Sequence, residues 1–460
     1  MRETILEAIK KAGVSPPQNS WTVTGTEPFF RSPIPLATGA SAVLVALGDA
    51  LAQLHQVRGG KSQAVGVDAE HAALSLLSMW LLKVDNKPAL TALSDGTPPP
   101  IGEFRCSDNR TIHLQPGLPH HTASIARVLD CTPTPAEIEQ ALSKADSLHM
   151  ESRFAAAGIP ACIVRSETEW LAHPQGRTMG SIPVVEIERI DACPPERLPV
   201  GDAPLTGIRV LDLTRVLAGP TCARTLGESG ADVLHIDAPQ LLDLKAAQAD
   251  TAHGKRMALL DLDSGNDQSQ LRELATSADV FVQSYRAGRL ARRGFGPRAL
   301  AQIRPGIVYV SVNCYGHHGP WREHAGYDGN AMAATGIRHL HSVGPNPGIA
   351  VAMNDYATAY WGAYGVATAL RHRATEGGSW HVRVSLAQSA MWFLSLPRLS
   401  NGDEGYAPEG VEAKAERYRV REDSPYGVLE QLPTALMLER TPLRWQRGTQ
   451  LPGTSSAEWL

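Results

Sequence analysis

The chain has 460 residues, 43% of them hydrophobic and 20% charged, an ordinary globular composition long enough for two or three domains. With 43 basic against 47 acidic residues and a formal net charge of −4, it has neither the basic excess nor the basic stripe that a nucleic-acid partner would require. No uninterrupted apolar run approaches the roughly 18 residues of a spanning helix, so no membrane segment is expected.

The six cysteines (Cys106, Cys131, Cys162, Cys193, Cys222 and Cys314) form no Cys-x-x-Cys pair, which argues against a zinc site or a disulfide framework and for buried, reduced thiols.

The opening MRETILEAIKKAG alternates charge with Ile and Leu as an amphipathic helix does. It lacks the apolar block of a signal peptide, so a cytoplasmic protein is expected. From Pro35 a small-residue helix, a Gly-Gly turn, a short strand and an amphipathic helix follow one another, a mainly helical unit over about 1–90. EFRCSDNRTIHLQPG reads as a hairpin turning at Asp108 and Asn109, TPAEIEQALSKA and MESRFAAAG as helices, and IPACIVRS as a strand. Together these predict a small α+β domain over about 91–200. The Pro-rich CPPERLPVGDAPLTG reads as a linker ending near Gly207.

Beyond it, IRVLDLT, ADVLHID, MALLDL, ADVFVQS and GIVYVSV are short apolar runs, with helical stretches such as AGPTCARTLGESG, SQLRELATSA and PRALAQI between them. That alternation predicts an α/β fold: a doubly wound, parallel, Rossmann-like sheet over about 205–315, within a large domain spanning 201–400. The unit that begins at Pro35 returns at Asp355. The offset is 320 between those two residues and 318 between Gly59 and Gly377, so the first copy carries two extra residues. Residues 401–460, rich in Gly, Pro and charge, are expected to form an irregular tail wrapped over another surface.

Five segments then carry a resemblance. LTGIRVLDLTRVLAGPTCARTLGESGADVLHID, GKRMALLDL, ADVFVQSYRAGRLARRGFG, IVYVSVNCYGHHGPWREHAGYD and NDYATAYWGAYGVATALRHRATEGG run in this order over about 205–400. In that order they resemble the class III CoA-transferase family, which includes formyl-CoA transferase and α-methylacyl-CoA racemase. The region 35–200, with GIPACIVRSETEWLAHPQ, resembles the portion that follows the catalytic aspartate in that family. Here it precedes the large domain, so the parts are permuted or fused.

The resemblance implies that Asp355 is the nucleophile. A carboxylate that attacks an acyl-CoA thioester gives a mixed anhydride, which the released thiolate reopens as an aspartyl thioester, and a carboxylic acid then collects the CoA by the reverse steps without a metal. Acyl-CoA and a small carboxylic acid are the implied partners, no tightly bound cofactor is expected, and the implied assembly is a homodimer, in which the chains could interlock. Pro35 occupies the position of Asp355 in the first copy, so one site per chain is expected.

The resemblance also implies that Arg215, Val216, Leu217 and Ala218 line the nucleotide. Lys255, Arg256, Arg286 and Arg292 are the implied phosphate ligands, and Tyr327 the aromatic beside the thioester. Ser284 stands where the family usually has Asn. Read by position alone, Asp355 also suits a helix N-cap before ATAYWGAYGVATAL, where the helix dipole would keep it ionised.

Other readings are open. The racemase branch has a histidine at the position of Tyr327, and a neutral phenol is a poor base at pH 7. A non-catalytic CoA-binding homologue is suggested by the changed order and by the absence of a glycine run that in the transferases closes over the intermediate. A dinucleotide enzyme would explain Asp237, 18 residues after Gly219, but RVLAGP lacks G-x-G-x-x-G. The adjacent pairs His120–His121 and His317–His318 are expected to diverge, as neighbours do, and to be solvated or core histidines rather than metal ligands.

Overall fold

The computed structural model describes the chain apart from residues 95, 97, 98, 242 and 343–351. The predicted doubly wound sheet is present and larger than expected. Its strands are β1 (Glu186–Asp191), β2 (Arg209–Leu213), β3 (Asp232–Asp237), β4 (Lys255–Leu259), β5 (Val280–Gln283), β6 (Val308–Asn313) and β7 (Ser379–Ser385), in the spatial order β4-β3-β2-β5-β6-β7-β1. All pairs are parallel except β7 with β1. Val210 pairs with Val233 on one side and Val280 on the other, so the strand order reverses at β2. In such sheets the crevice for a ligand opens there, beyond the carboxyl ends of the strands.

The inner strands read as apolar runs because both faces are covered. On one face Leu211, Leu234, Phe281 and Tyr309 pack with Leu271, Leu274 and Leu300 of two short helices. The other face carries α3 (Ala218–Glu228) and α5 (Met353–Glu376), and α5 also packs against α1 (Leu36–Val57), its counterpart in the first repeat copy. Small residues permit this closeness. A Cβ on Gly365 would lie 2.4 Å from Val382 of β7, and one on Gly362 would lie 3.0 Å from Cys222 of α3.

The absence of a possible spanning segment needs correction. By length and a mean hydropathy of 1.4, α1 qualifies, but 94% of that window is buried within the protein, as befits a core helix.

The hairpin Gly102–Arg105 with Thr111–Leu114 joins Ala161–Ile163 in a three-stranded sheet. Asn109 holds the turn at φ 64°, a left-handed conformation that Asn tolerates. Phe104, Ile112, Ile125, Ile138 and Phe154 give this small domain its own core. It docks on α4 (Asp328–Thr335), where Arg165 N–H donates to the Ala333 carbonyl at 2.9 Å and the Asn330 amide reaches the His113 carbonyl at 3.4 Å. Its helix α2 (Pro119–Leu129) begins at the mouth of the crevice.

The tail differs from expectation. It carries a helix (Pro408–Ala415), a hairpin (Val420–Ser424 with Gly427–Gln431) and a strand (Leu436–Leu438) that pairs with Val65–Asp68 of the first repeat copy. Charged edge strands such as VREDS protect a sheet from further pairing and read as loop. Only the last stretch wraps irregularly, along β4, with Ser455 N–H on the Met257 carbonyl at 3.0 Å.

Candidate functional site

A cleft of about 440 Å³ lies at the carboxyl ends of the strands around β2, within the size range of small-molecule sites. Arg215, Val216, Leu217, Ala218, Ser284, Arg286, Tyr327 and Asp355 all line it.

Asp355 is the third residue of α5, whose N-cap is Ala352, so it stands in the first turn rather than at the cap. The positive end of the helix dipole reaches it there as well. The backbone N–H of Ala218, the first residue of α3, is turned toward its carboxylate. Burial and then the neighbouring Asp328 carboxylate raise its pKa well above the usual value, against the lowering effect of that N–H. Asp328 begins α4, and burial raises its pKa to about 7 despite the Asn354 amide beside it. Among the described residues its Oδ1 has no hydrogen-bond partner.

The turn between β2 and α3 is strained. Val216 sits at φ 69°, costly for a β-branched residue. Asp243 holds it there, accepting the Val216 N–H at 2.8 Å and the Arg215 Nη2 at 2.7 Å. Ser284 Oγ accepts the Arg215 N–H at 2.8 Å, so Ser284 shapes the turn. This leaves Nε and Nη1 of Arg215 buried without a partner among the described residues. Gly219 is required for closeness, since a Cβ there would lie 2.4 Å from Thr214 Cβ.

Three of the expected phosphate ligands lie elsewhere, and the expectation for them is corrected. Lys255 is 1% exposed beneath α3, its ammonium donating to Asp212 at 2.9 Å and to the Pro220 carbonyl at 2.8 Å. Arg256 points to the other face of β4 and forks onto Asp232 at 3.0–3.2 Å. Arg292 is exposed and does not line the cleft, whereas its neighbours Arg289 and Arg293 do. Successive side chains on a strand leave opposite faces, and a motif does not say which face meets the ligand.

His235 bonds Asp212 at 2.8 Å and Asp237 at 3.3 Å. Burial alone would lower its pKa, but the two aspartates raise it to about 9. Asp237 also accepts from Gln248 at 3.3 Å. It is therefore not the free carboxylate that would hold a dinucleotide ribose.

Tyr327 is wedged between domains. A Cβ on Gly117 would lie 2.7 Å from its Cζ, and the His121 ring meets it edge-on with centroids 6.0 Å apart. Burial pushes its phenol pKa up, further from the range of a base.

Several residues in the cleft or behind its lining were not anticipated. His120 and His121, expected to diverge, both line the cleft with ring centroids 4.2 Å apart, because they open α2 at its mouth. Asp328 could have been noticed beside Tyr327 in AGYD. Asp243 had no signal in its own surroundings. Among the described residues, no group of three His, Cys, Asp or Glu is placed to hold a metal ion.

Comparison with known proteins finds a match to CoA-transferase family III over residues 20–201 and 205–428. The acetyl-coenzyme A transferase nodX of Hypoxylon pulicicidum is 30% identical over 390 residues, covering 74% of this chain and 65% of that protein. The succinyl-CoA:glutarate CoA-transferase of Mus musculus is 35% identical over 193 residues, covering 38% of this chain and 44% of that protein. Among solved structures, a CAIB/BAIF family protein from Brucella suis is 28% identical with a TM-score of 0.38, covering 42% of this chain and 56% of that one. The chain spans 65%, 51% and 50% of the length of three curated relatives it matches.

Proposed function

As the chain belongs to CoA-transferase family III, we propose that it moves coenzyme A between an acyl-CoA thioester and a carboxylic acid, with Asp355 as nucleophile. The observation that carries this reading is the position of Asp355 on the floor of the cleft, facing the N-terminus of α3.

The ionised carboxylate attacks the thioester carbonyl and expels the CoA thiolate, leaving an acyl-aspartyl anhydride. The thiolate then attacks the Asp355 carbonyl and releases the first acid as its carboxylate. The incoming carboxylate opens the aspartyl thioester to a second anhydride, and the thiolate takes the new acyl group, freeing Asp355. The Ala218 N–H is placed to stabilise the oxyanion that forms on Asp355 in the middle steps. The Arg215–Ala218 turn, with Arg286, Arg289 and Arg293, is proposed to hold the nucleotide. Tyr327 favours transfer over racemisation, because burial makes its phenol a still weaker base.

Both domains that line the cleft belong to one chain, and we also propose that the chain forms a homodimer.

The test is trapping. The protein is incubated with acetyl-CoA or succinyl-CoA, quenched with hydroxylamine and digested for mass spectrometry. A hydroxamate at Asp355 is expected. No modification with any donor, with CoA affinity unchanged in Asp355→Ala, would favour a binding protein without this chemistry.

A further inference from the structure

Behind the cleft, one buried carboxylate ties together the parts that aim the Ala218 N–H. Asp212, near the end of β2, is wholly buried and does not line the cleft. Its Oδ2 meets the Lys255 ammonium at 2.9 Å and His235 Nδ1 at 2.8 Å. Its Oδ1 accepts the Thr214 N–H at 3.0 Å and the Thr214 hydroxyl at 2.5 Å. Burial alone would raise the Asp212 pKa, but Lys255 and His235 lower it, so the carboxylate stays ionised at neutral pH. Both oxygens lead to the first turn of α3. The Lys255 ammonium also donates to the Pro220 carbonyl at 2.8 Å. Thr214, itself without exposure, packs on Gly219, where an added Cβ would lie 2.4 Å from Thr214 Cβ and 3.1 Å from Ser284 Cβ. Ala218 directly precedes these two residues, so its N–H is directed by contacts made on Gly219 and Pro220. Asp243, by contrast, holds the start of the same turn, at Arg215 and Val216. An apolar filling of similar volume would fasten a helix to a strand at least as firmly as these buried charges. What the charged arrangement adds is direction.

We propose that Thr214, anchored on Asp212, is a positioning residue for CoA transfer: it fixes the first turn of α3 so that the Ala218 N–H points at Asp355 when an oxyanion forms there. The inference rests on transfer at Asp355. Thr214 does not line the cleft and acts through Ala218. A donor aimed at charge that develops in the transition state speeds the chemical steps. Displaced by a fraction of an ångström it loses much of that effect, while the nucleotide, held by other residues, stays where it is. The Thr214 hydroxyl is the link that can be cut with least disturbance, because Val has nearly the same shape and lacks only the donor.

CoA transfer from succinyl-CoA to acetate is measured well below Tm in wild type, Thr214→Val and Thr214→Ser. In Thr214→Val kcat should fall about tenfold or more, with the KM for succinyl-CoA within about twofold of wild type, the pattern of an interaction made only in the transition state. Thr214→Ser keeps the hydroxyl and should recover most of kcat. An unchanged kcat in Thr214→Val would overturn the proposal. So would a KM for succinyl-CoA that rises while kcat holds, the sign of a nucleotide contact, and so would a Thr214→Ser no faster than Thr214→Val, which would assign the effect to packing of the methyl group. If wild type moves no CoA and gives no hydroxamate at Asp355, transfer itself fails. Amide hydrogen exchange then tests the link alone: the peptide that carries Ala218 should exchange faster in Thr214→Val and return toward wild type in Thr214→Ser, and equal exchange in all three would reject it.

Discussion

Asp328 and Asp355 bury two carboxyl groups together where α4 and α5 begin, with the backbone N–H of Asp355 turned toward the Asp328 carboxylate. Each makes ionisation of the other harder, yet the proposed chemistry needs Asp355 ionised. The exchange rate should therefore rise with pH along an acid limb set by this pair, whose two protons leave in shared steps. Asp328→Asn removes one charge and should move that limb about one pH unit lower. A pH–kcat/KM profile with an unmoved limb would show that Asp328 does not govern the nucleophile.

The same pair makes stability depend on pH in a definite direction. Asp328 is raised from 3.8 to about 7 in the folded state, so the folded protein keeps a proton that the unfolded chain releases. The stabilisation is complete below about pH 4 and is lost as the pH rises through 7. Asp328→Asn should accordingly raise Tm more at pH 8 than at pH 5, worth a few kcal/mol at most. Thermal melts with equal shifts at both pH values would contradict the burial of an uncompensated carboxyl.

Asp243 and Val216 make a second testable pair. The φ of 69° at Val216 is held by Asp243 and costs about 1–3 kcal/mol. Val216→Gly relieves that strain and should leave stability nearly unchanged, since the freedom gained by the unfolded chain offsets the relief. Asp243→Ala instead strands the buried Arg215 guanidinium and should destabilise by about 3 kcal/mol, with weaker CoA binding as the turn loosens. Denaturant titrations and CoA calorimetry on the two variants check this. A neutral Asp243→Ala would show that the turn is held by other means.

These residues also mark what a sequence can tell. β2, β3, β5 and β6 were legible because strands buried on both faces are continuous apolar runs, whereas Asp355 was singled out only by the resemblance to the CoA-transferase family. β1 was not legible: EIERID is an edge strand with charged residues facing solvent, and only its pairing with β7 makes it a strand. Asp243 lies 27 residues from the Val216 N–H that it holds, a contact made by the fold and invisible to local pattern. His120 and His121 reach the cleft from another domain, so no spacing within the large domain could have found them.

Lys255, expected at the nucleotide, is instead a buried partner of Asp212, whereas Arg289, for which no role was expected, lines the cleft, and two substitutions separate them. Lys255 is a buried partner of Asp212, so Lys255→Met leaves Asp212 with His235 as its remaining cationic partner, beside the hydrogen bonds from Thr214, and should cost about 3–5 kcal/mol of stability. Its CoA affinity, measured well below Tm, should keep the salt dependence of wild type, because no contact to a phosphate is lost. Arg289 lines the cleft, and Arg289→Ala should change stability by no more than about 0.5 kcal/mol. Removing a charge-assisted contact to phosphate should weaken CoA binding about tenfold and flatten its dependence on ionic strength. The inverse pattern, with the salt response lost in Lys255→Met and kept in Arg289→Ala, would mean that β4 turns its lysine to the nucleotide after all.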